Sequence, residues 1–505
     1  MTDTNPFDSL RRTRRRPESA PATPAMAPED DLSKLALFQT SGTTTWTPAV
    51  TAAPVPQSGV SQDGSDLDWG LVRSLRQSTA ARLEEQITQR EASGDPVSTV
   101  EQRRELALPL IRRVVEQRST ADMADGRQWA VGLESAYTKA VEDSLFGLGR
   151  WQPLLEIPTA ENIVISGTDP VIVDHSDGSR TTLAPVADSD EELLEQISYL
   201  AQNSVPRRAF DVMHTDVTIN YQDRFRIHAL SNEVSQRPSV AIRQHLHTRI
   251  GLGDLVDRNV MPRELALFLA KAVRAKMNIL VAGDVGDGKT TTLRALIDAI
   301  DPRERFATLE TDLELFAHRM PGREWTLVLT ARDGMGERNP DGSMAGEIRV
   351  GQLIPPALRQ AIDRIIVGEL RGDETGALFE AMQAGAGAMA TLHSPDAASV
   401  PERLATMAAR SRIYTLEEAQ RQIGQSVDLV VHVKKVDGPS GRRRFIQEIR
   451  SLTTGDDNQA AGSIIYQADE VTGQTIQFNP GSMKRYDAMQ RFEVELNRYE
   501  DGSNA

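Results

Sequence analysis

Apolar residues recur at three- and four-residue spacing from about Leu67, where WGLVRSLRQSTAARLEEQITQR begins a helical pattern. ELALPLIRRVVEQ and QWAVGLESAYTKAVEDSLFGLG repeat it, which predicts three amphipathic helices ending near Gly149. The period then shortens. ENIVISGTDPVIVDHSDGSRTTLAPV reads as short strands parted by Gly, Asp and Pro turns. A helix, EELLEQISYLAQNSV, and two further strands, DVTINYQDRFRIHAL and SVAIRQH, complete a predicted α+β unit. Beyond a helix near PRELALFLAKAVRA, strands (NILVAG, FATLE, TLVLTA, RIIVGE, AMATLH, LVVHVKK) alternate with helical stretches, which argues for a largely parallel sheet with helices on both faces. Strand-like RRFIQEIRSL, SIIYQAD and TIQFNP follow, then a predicted final helix, GSMKRYDAMQRFEVELNRYE.

These shifts predict an N-terminal helical segment (67–150), an α+β domain (151–246), a linker (247–262), an α/β domain (263–435) and a strand/helix extension (436–505). Residues 1–66, rich in Pro, Ala, Thr, Ser and Gln with no sustained period, read as a disordered tail. Its Arg11, Arg12, Arg14, Arg15 and Arg16 suit a solvated tail or a contact with acidic lipid or a partner.

Composition narrows the picture. No cysteine is present, so there is no disulfide framework and no thiolate metal site. No apolar run approaches the roughly 20 residues of a membrane-spanning helix, and no apolar stretch follows the N-terminal basic cluster as in a signal peptide. The plain reading is a cytoplasmic protein. A net charge of −15 argues against a dedicated nucleic-acid surface.

The chemistry enters with GDVGDGKT. Gly283, Asp284, Val285, Gly286, Asp287, Gly288, Lys289 and Thr290, followed by Thr291, match G-x-x-x-x-G-K-T/S between a predicted strand and a predicted helix. Glycines let backbone amides turn inward around phosphate, and the helix N-terminus adds a favourable dipole. Lys289 would neutralise the β/γ-phosphates of ATP and Thr290 would hold Mg²⁺. Such a loop needs a carboxylate across the site to organise metal and water. Glu369 ends the apolar strand RIIVGE where ligands bind in open α/β sheets. Glu310 ends FATLE in the same way, with Asp312 and Glu314 close behind. His393 ends AMATLH, placed to sense the γ-phosphate or to relay to a subunit interface. His245 and His247 form an H-x-H without further ligands in view.

Together the loop GDVGDGKT, the acidic LETDLEL, IIVGELRGDE and ATLH resemble the type II/type IV secretion and pilus-assembly ATPases, closest to the tight-adherence pilus branch, over about Leu67 to Lys435. The resemblance implies a RecA-like P-loop ATPase core in a homohexameric ring. It further implies work with inner-membrane platform proteins at the inner face of the cell membrane. It makes Glu310 and Glu314 the acidic-box carboxylates, Glu369 the Walker B glutamate and His393 the histidine-box residue. It assigns Arg226, Arg243 and Arg332 to the nucleotide, and Thr290 with Glu369 to Mg²⁺. The chain departs from the family at Thr311, at Ala361-Ile362-Asp363-Arg364, and at Gln383-Ala384-Gly385, where a second histidine is replaced. These changes bear on turnover and on coupling between subunits. The leading expectation is an ATP-driven motor for pilus assembly or secretion. A conjugation-type DNA-transfer ATPase and a low-turnover ATP-binding regulator are the alternatives. A nucleic-acid helicase is disfavoured by the acidic balance and by the lack of a basic aromatic stripe.

Overall fold

Asp68 accepts from the amide of Leu71 and so starts α1 (Trp69–Ala92). Thr99 and Gln102 exchange side-chain and backbone bonds as a capping box for α2 (Val100–Ala124), and α3 (Leu133–Phe146) follows. These helices share a cluster of their own that includes Leu75, Leu83, Ile111, Val115 and Val141. The computed structural model describes residues 67–499 apart from 94–96, 98, 205–206, 333, 335–343, 373, 386, 439–440 and 484. The expected disordered tail and its basic cluster lie outside the described residues.

A short helix, α4 (Gln152–Leu155), leads into β1 (Ala160–Ser166), β2 (Val171–His175), β3 (Arg180–Leu183), α5 (Asp190–Asn203), β4 (Asp216–Tyr221), β5 (Phe225–Leu230) and β6 (Ser239–Gln244). The strands form an antiparallel sheet of order β3-β2-β1-β6-β5-β4. Alternate residues such as Ile163, Ile165, Ile227, Val240 and Ile242 face a core completed by Leu193 and Ile197 of α5.

The second sheet is built from β7 (Ile279–Gly283), β8 (Phe306–Glu310), β9 (Leu327–Thr330), β10 (Arg364–Leu370), β11 (Gly387–His393) and β12 (Leu429–Gly438), extended by β13 (Gly441–Thr454), β14 (Ala460–Ala468) and β15 (Thr475–Phe478). Its order is β15-β14-β13-β12-β7-β11-β10-β8-β9, parallel from β12 to β9 and antiparallel from β12 to β15. The inner parallel strands β7, β8, β10 and β11 are buried on both faces, and the two sides feed different cores. Ile279, Val281, Ile366 and Val431 face the cluster that holds α6 (Leu252–Asp257), α7 (Arg263–Arg274) and α8 (Lys289–Asp298). Leu280, Ala282, Val367 and Val430 face α9 (Val350–Leu358), α10 (Glu374–Gln383), α11 (Val400–Arg410) and α12 (Leu416–Ser426). This is the α/β, RecA-like arrangement. Among the described residues no helix is long and apolar enough to cross a membrane.

The chain departs from expectation at two places. The stretch expected as a linker, 247–262, contains α6 and buries Ile250, Leu252, Leu255 and Met261 in the core. The expected final helix reduces to α13 (Tyr486–Gln490), after which the chain runs extended. Phe492, Val494 and Leu496 alternate onto the core, a period of two that a helix cannot satisfy. This extended strap then ties down α6. Gly253 donates to the carbonyl of Asn497 at 3.0 Å, Tyr499 donates its amide to Asp254 at 2.8 Å, and the Tyr499 hydroxyl reaches Asp298 at 2.5 Å.

A Cβ at Gly253 would lie 2.4 Å from the Asn497 carbonyl oxygen. In an unobstructed helix Gly→Ala gains about 1 kcal/mol. Here Gly253→Ala is expected to cost about 1–3 kcal/mol through overpacking. Denaturant unfolding, with hydrogen exchange at Gly253 and Tyr499, checks both the sign and the place of the loss.

Candidate active site

The carboxyl ends of β7, β8, β10 and β11 share one sheet edge because neighbouring strands run parallel and in register. His393 pairs with Gly283, and Val367 lies between Leu309 and Ala390. Regular pairing of β10 with β11 breaks between Val367 and Leu370, so Gly368 and Glu369 form an irregularity at the strand end. The approach is tight, since a Cβ at Gly368 would meet Glu310 Cγ at 3.0 Å and force that side chain to shift. After β7 the chain turns through Gly286 (φ 78°) and Gly288 (φ 101°), left-handed positions that favour glycine, and enters α8 at Lys289.

Lys289 Nζ donates to the Asp284 carbonyl at 2.8 Å and approaches His393 Nδ1 at 3.3 Å. His393 Nε2 lies 2.8 Å from Glu369 Oε1, and Arg371 Nε donates to Glu369 Oε2 at 2.7 Å. Burial, and then the Lys289 charge, hold the His393 pKa below its ordinary value. A neutral ring with Nδ1 bare accepts from Lys289, whereas Glu369 Oε1 is close to Nε2 but lies out of line for a hydrogen bond. Burial also lowers the Lys289 pKa, against the pull of Glu369 and the loop aspartates.

Glu310 is 3% exposed, and its Oε2 accepts from the amides of Glu314 (2.8 Å) and Leu315 (2.9 Å). Burial outweighs those bonds and pushes its pKa up to about 7. Glu314 receives Thr290 Oγ1 at 3.4 Å and Arg226 Nη1 at 3.0 Å, so β5 of the antiparallel sheet reaches the acidic turn of the parallel one. Arg294, from α8, donates to the carbonyls of Glu314 (2.7 Å) and His247 (2.6 Å), and burial lowers its pKa to about 10. His245 packs edge-on to Phe316 and lies 3.4 Å from Arg294. Burial, with Arg294 and Arg243 adding to it, drives its pKa down to about 2.

The structure gathers Gly286, Gly288, Lys289, Thr290, Thr291, Val285, Asp287, Arg226, Arg243, Glu310, Glu314, Glu369 and His393 around one cleft of about 970 Å³. Gly283 and Asp284 do not line it; within the loop the Asp284 amide donates to Asp287 Oδ2 at 2.6 Å. Among the described residues Arg243 has no hydrogen-bond or ion-pair partner, and it repels the protons of Lys289, Arg294 and His245. Arg332 is not brought to this cleft. It bridges to Ile348, donates to the Gly346 carbonyl at 2.9 Å, and lines a smaller neighbouring pocket with Arg349 and Glu347. Nor are the two residues of the expected metal pair bonded to each other: Thr290 donates to Glu314, while Glu369 faces His393 and Arg371.

Sequence reasoning missed Arg294, Arg371, Arg444 and Glu161 as parts of this surround. Arg371 was visible two residues beyond Glu369; the others have partners too distant in sequence to show.

The donor set fits nucleotide and magnesium. The glycine loop offers backbone amides at the start of α8, beside two cations, Lys289 and Arg243. Among the described residues no cluster of three His, Cys, Asp or Glu could hold an ion alone. That suits Mg²⁺, which takes much of its shell from phosphate and water.

A family model described as type II/IV secretion system protein matches residues 183–474. A putative conjugal transfer protein of Mycobacterium tuberculosis is 29% identical over 322 residues, covering 62% of this chain and 86% of that protein. The type IV secretion system protein PtlH of Bordetella pertussis is 32% identical over 183 residues, 35% of this chain and 51% of PtlH. Among solved structures, the VirB11 ATPase from the Brucella suis type IV secretion system is similar at 24% identity and a TM-score of 0.31, covering 62% of this chain and 95% of that one.

The raised pKa of Glu310 has a consequence for stability. The unfolded carboxyl ionises near 4.5 and the folded one near 7. Stability from this group is therefore full at low pH and falls as pH rises from about 4.5 to about 7. Glu310→Gln, which mimics the neutral acid, is expected to flatten that part of the melting-temperature profile. A profile of unchanged slope would place the pH dependence elsewhere.

Proposed function

The chain belongs to the type II/IV secretion system protein family, and on that footing we propose that it is an ATP-hydrolysing motor. It works as a homohexamer at the inner face of the membrane, with inner-membrane platform proteins, in pilus assembly or protein secretion. The observation that carries this reading is the meeting of three features on one sheet edge: the glycine loop, Lys289, and a carboxylate joined to it through His393.

In this reading Lys289, Arg243 and the loop amides bind the phosphates. The apolar end of the cleft, with Val260, Met261 and Phe445, takes the base. Thr290 and Glu369 would hold Mg²⁺, which would supply charge neutralisation at the phosphates. Water attacks the γ-phosphorus, the bond to the bridging oxygen breaks, and ADP leaves. Glu369 orients the water. Glu310 takes its proton, because a base with a pKa near 7 matches the working pH. Its Oε2 is engaged by two amides, which leaves Oε1 for that proton. His393 reports the loop's occupancy to Glu369. Arg226 and Arg243 pull the antiparallel sheet onto the parallel one when phosphate is bound and release it afterwards, with α6 as the lever between them.

The cargo has a second reading. The conjugal-transfer names among the relatives favour a DNA-transfer machine of the same superfamily.

Phosphate release with Mg-ATP, measured beside oligomer mass, tests the proposal. Lys289→Ala is expected to lose nucleotide binding. Glu369→Gln is expected to keep binding and to turn over about 10²- to 10⁴-fold more slowly. In Glu310→Gln the acidic limb of the pH–rate profile near 7 should vanish. Tight ATP binding without turnover in the parent protein would replace the motor with a regulator, and a monomer would remove the ring.

A further inference from the structure

The β12–β13 hairpin lies outside every segment that the motifs single out, yet two of its cations rest on the phosphate loop. Lys435 Nζ donates to the Val285 carbonyl at 3.3 Å, and Arg444 Nε donates to the Gly286 carbonyl at 2.8 Å. The contact is close-packed: a Cβ at Gly286 would lie 3.2 Å from Lys435 Nζ, and one at Gly288 would lie 3.4 Å from Arg444 Cδ. Arg444 also donates from Nη2 to Glu161 Oε1 at 2.9 Å, and Arg442 Nη1 donates to the other Glu161 oxygen at 3.3 Å. Glu161 belongs to β1, so a single guanidinium joins the phosphate loop to the antiparallel sheet. Both ends of that bond are partly buried, with side-chain exposures of 26% and 18%, so it is screened less than a fully exposed pair.

The geometry has a defined effect on the loop. In a planar trans peptide the N–H points opposite to the C=O. The Val285 carbonyl shares its peptide with the Gly286 amide, and the Gly286 carbonyl shares its peptide with the Asp287 amide. A cation bonded to each carbonyl from outside holds the partner N–H away from itself and polarises it. These bonds act together with the Asp287 amide, which donates to the Asp284 carbonyl at 3.3 Å, in fixing the direction of two peptide units that flank a glycine.

We propose that Arg444 and Lys435 are positioning residues for nucleotide binding, which set the loop amides for phosphate, and that Glu161 steadies this setting by anchoring Arg444 to the antiparallel sheet. The inference rests on the reading of the loop as a nucleotide site. It gives the hairpin a task in the cleft and makes loop geometry responsive to the position of the N-terminal sheet. Without Glu161, Arg442 keeps its pairing with Asp437, while Arg444 loses its tie to the antiparallel sheet and is steadied over Gly286 by the Gly286 carbonyl alone.

The test is titration of the full chain with a fluorescent ATP analogue and Mg²⁺, with thermal melting of the same samples, for the parent, Glu161→Gln, Arg444→Gln and the double variant. Each single change is expected to weaken binding by about three- to ten-fold, a coupling of ordinary size for groups in contact. The double variant should bind no more weakly than Arg444→Gln alone, because Glu161 acts through Arg444. Lys435→Gln gives an independent reading of the same effect if Arg444→Gln folds poorly. Unchanged affinity in the single variants, or losses that simply add in the double, would overturn the inference while leaving the nucleotide site intact. Failure of the parent chain to bind would remove the site itself, and the inference with it.

Discussion

Parallel register is the constraint on which the rest of this molecule depends. Because β7, β8, β10 and β11 run side by side in one direction, their last residues reach the same edge, and Gly283, Glu310, Glu369 and His393 become neighbours. A one-residue slip of β11 against β7 would send His393 to the other face of the sheet. Both faces of these strands are packed against helices, so a slip would have to repack two close-packed cores at once. Chemical groups dispersed over more than a hundred residues of sequence are thus placed by hydrophobic burial alone.

Charge then decides how the cleft is held. Burial opposes ionisation of Glu310, Lys289, His393 and Arg294 alike, so each keeps its place only through a specific partner. Arg294 is the hub. From the helix that follows the phosphate loop, it grips the acidic turn at Glu314 and the chain at His247. The loop, the acidic turn and the connection between the two sheets cannot shift independently. Arg226 adds a second crossing, from β5 to Glu314, on the same side of the cleft.

How much of this was legible in the sequence follows from the range of each interaction. The phosphate loop was readable because its requirements are local: glycine where φ is positive, an apolar strand before it and a helix after it. The acidic strand ends were readable because an apolar run that stops on a carboxylate is unusual inside a buried sheet. Arg226 and Arg243 came only with the family resemblance, since strand alternation does not say which arginine turns towards a partner sheet. Arg444 and Glu161 stand 283 residues apart, and nothing local marks them. The extended strap is a different case. Phe492, Val494 and Leu496 carry a period of two, but the Glu, Arg and Leu between and around them are good helix formers that mask it.

Arg243 faces the cleft without a partner among the described residues, amid groups whose protons it repels. That arrangement raises the free energy of the folded state by itself, and an anion seated beside it would lower that energy. Mass action then applies: a ligand present at a hundred times its dissociation constant stabilises its host by about 2.7 kcal/mol. An anion seated at Arg243 would in that way raise the folded fraction of the protein, so that occupancy of the cleft and durability of the fold would move together.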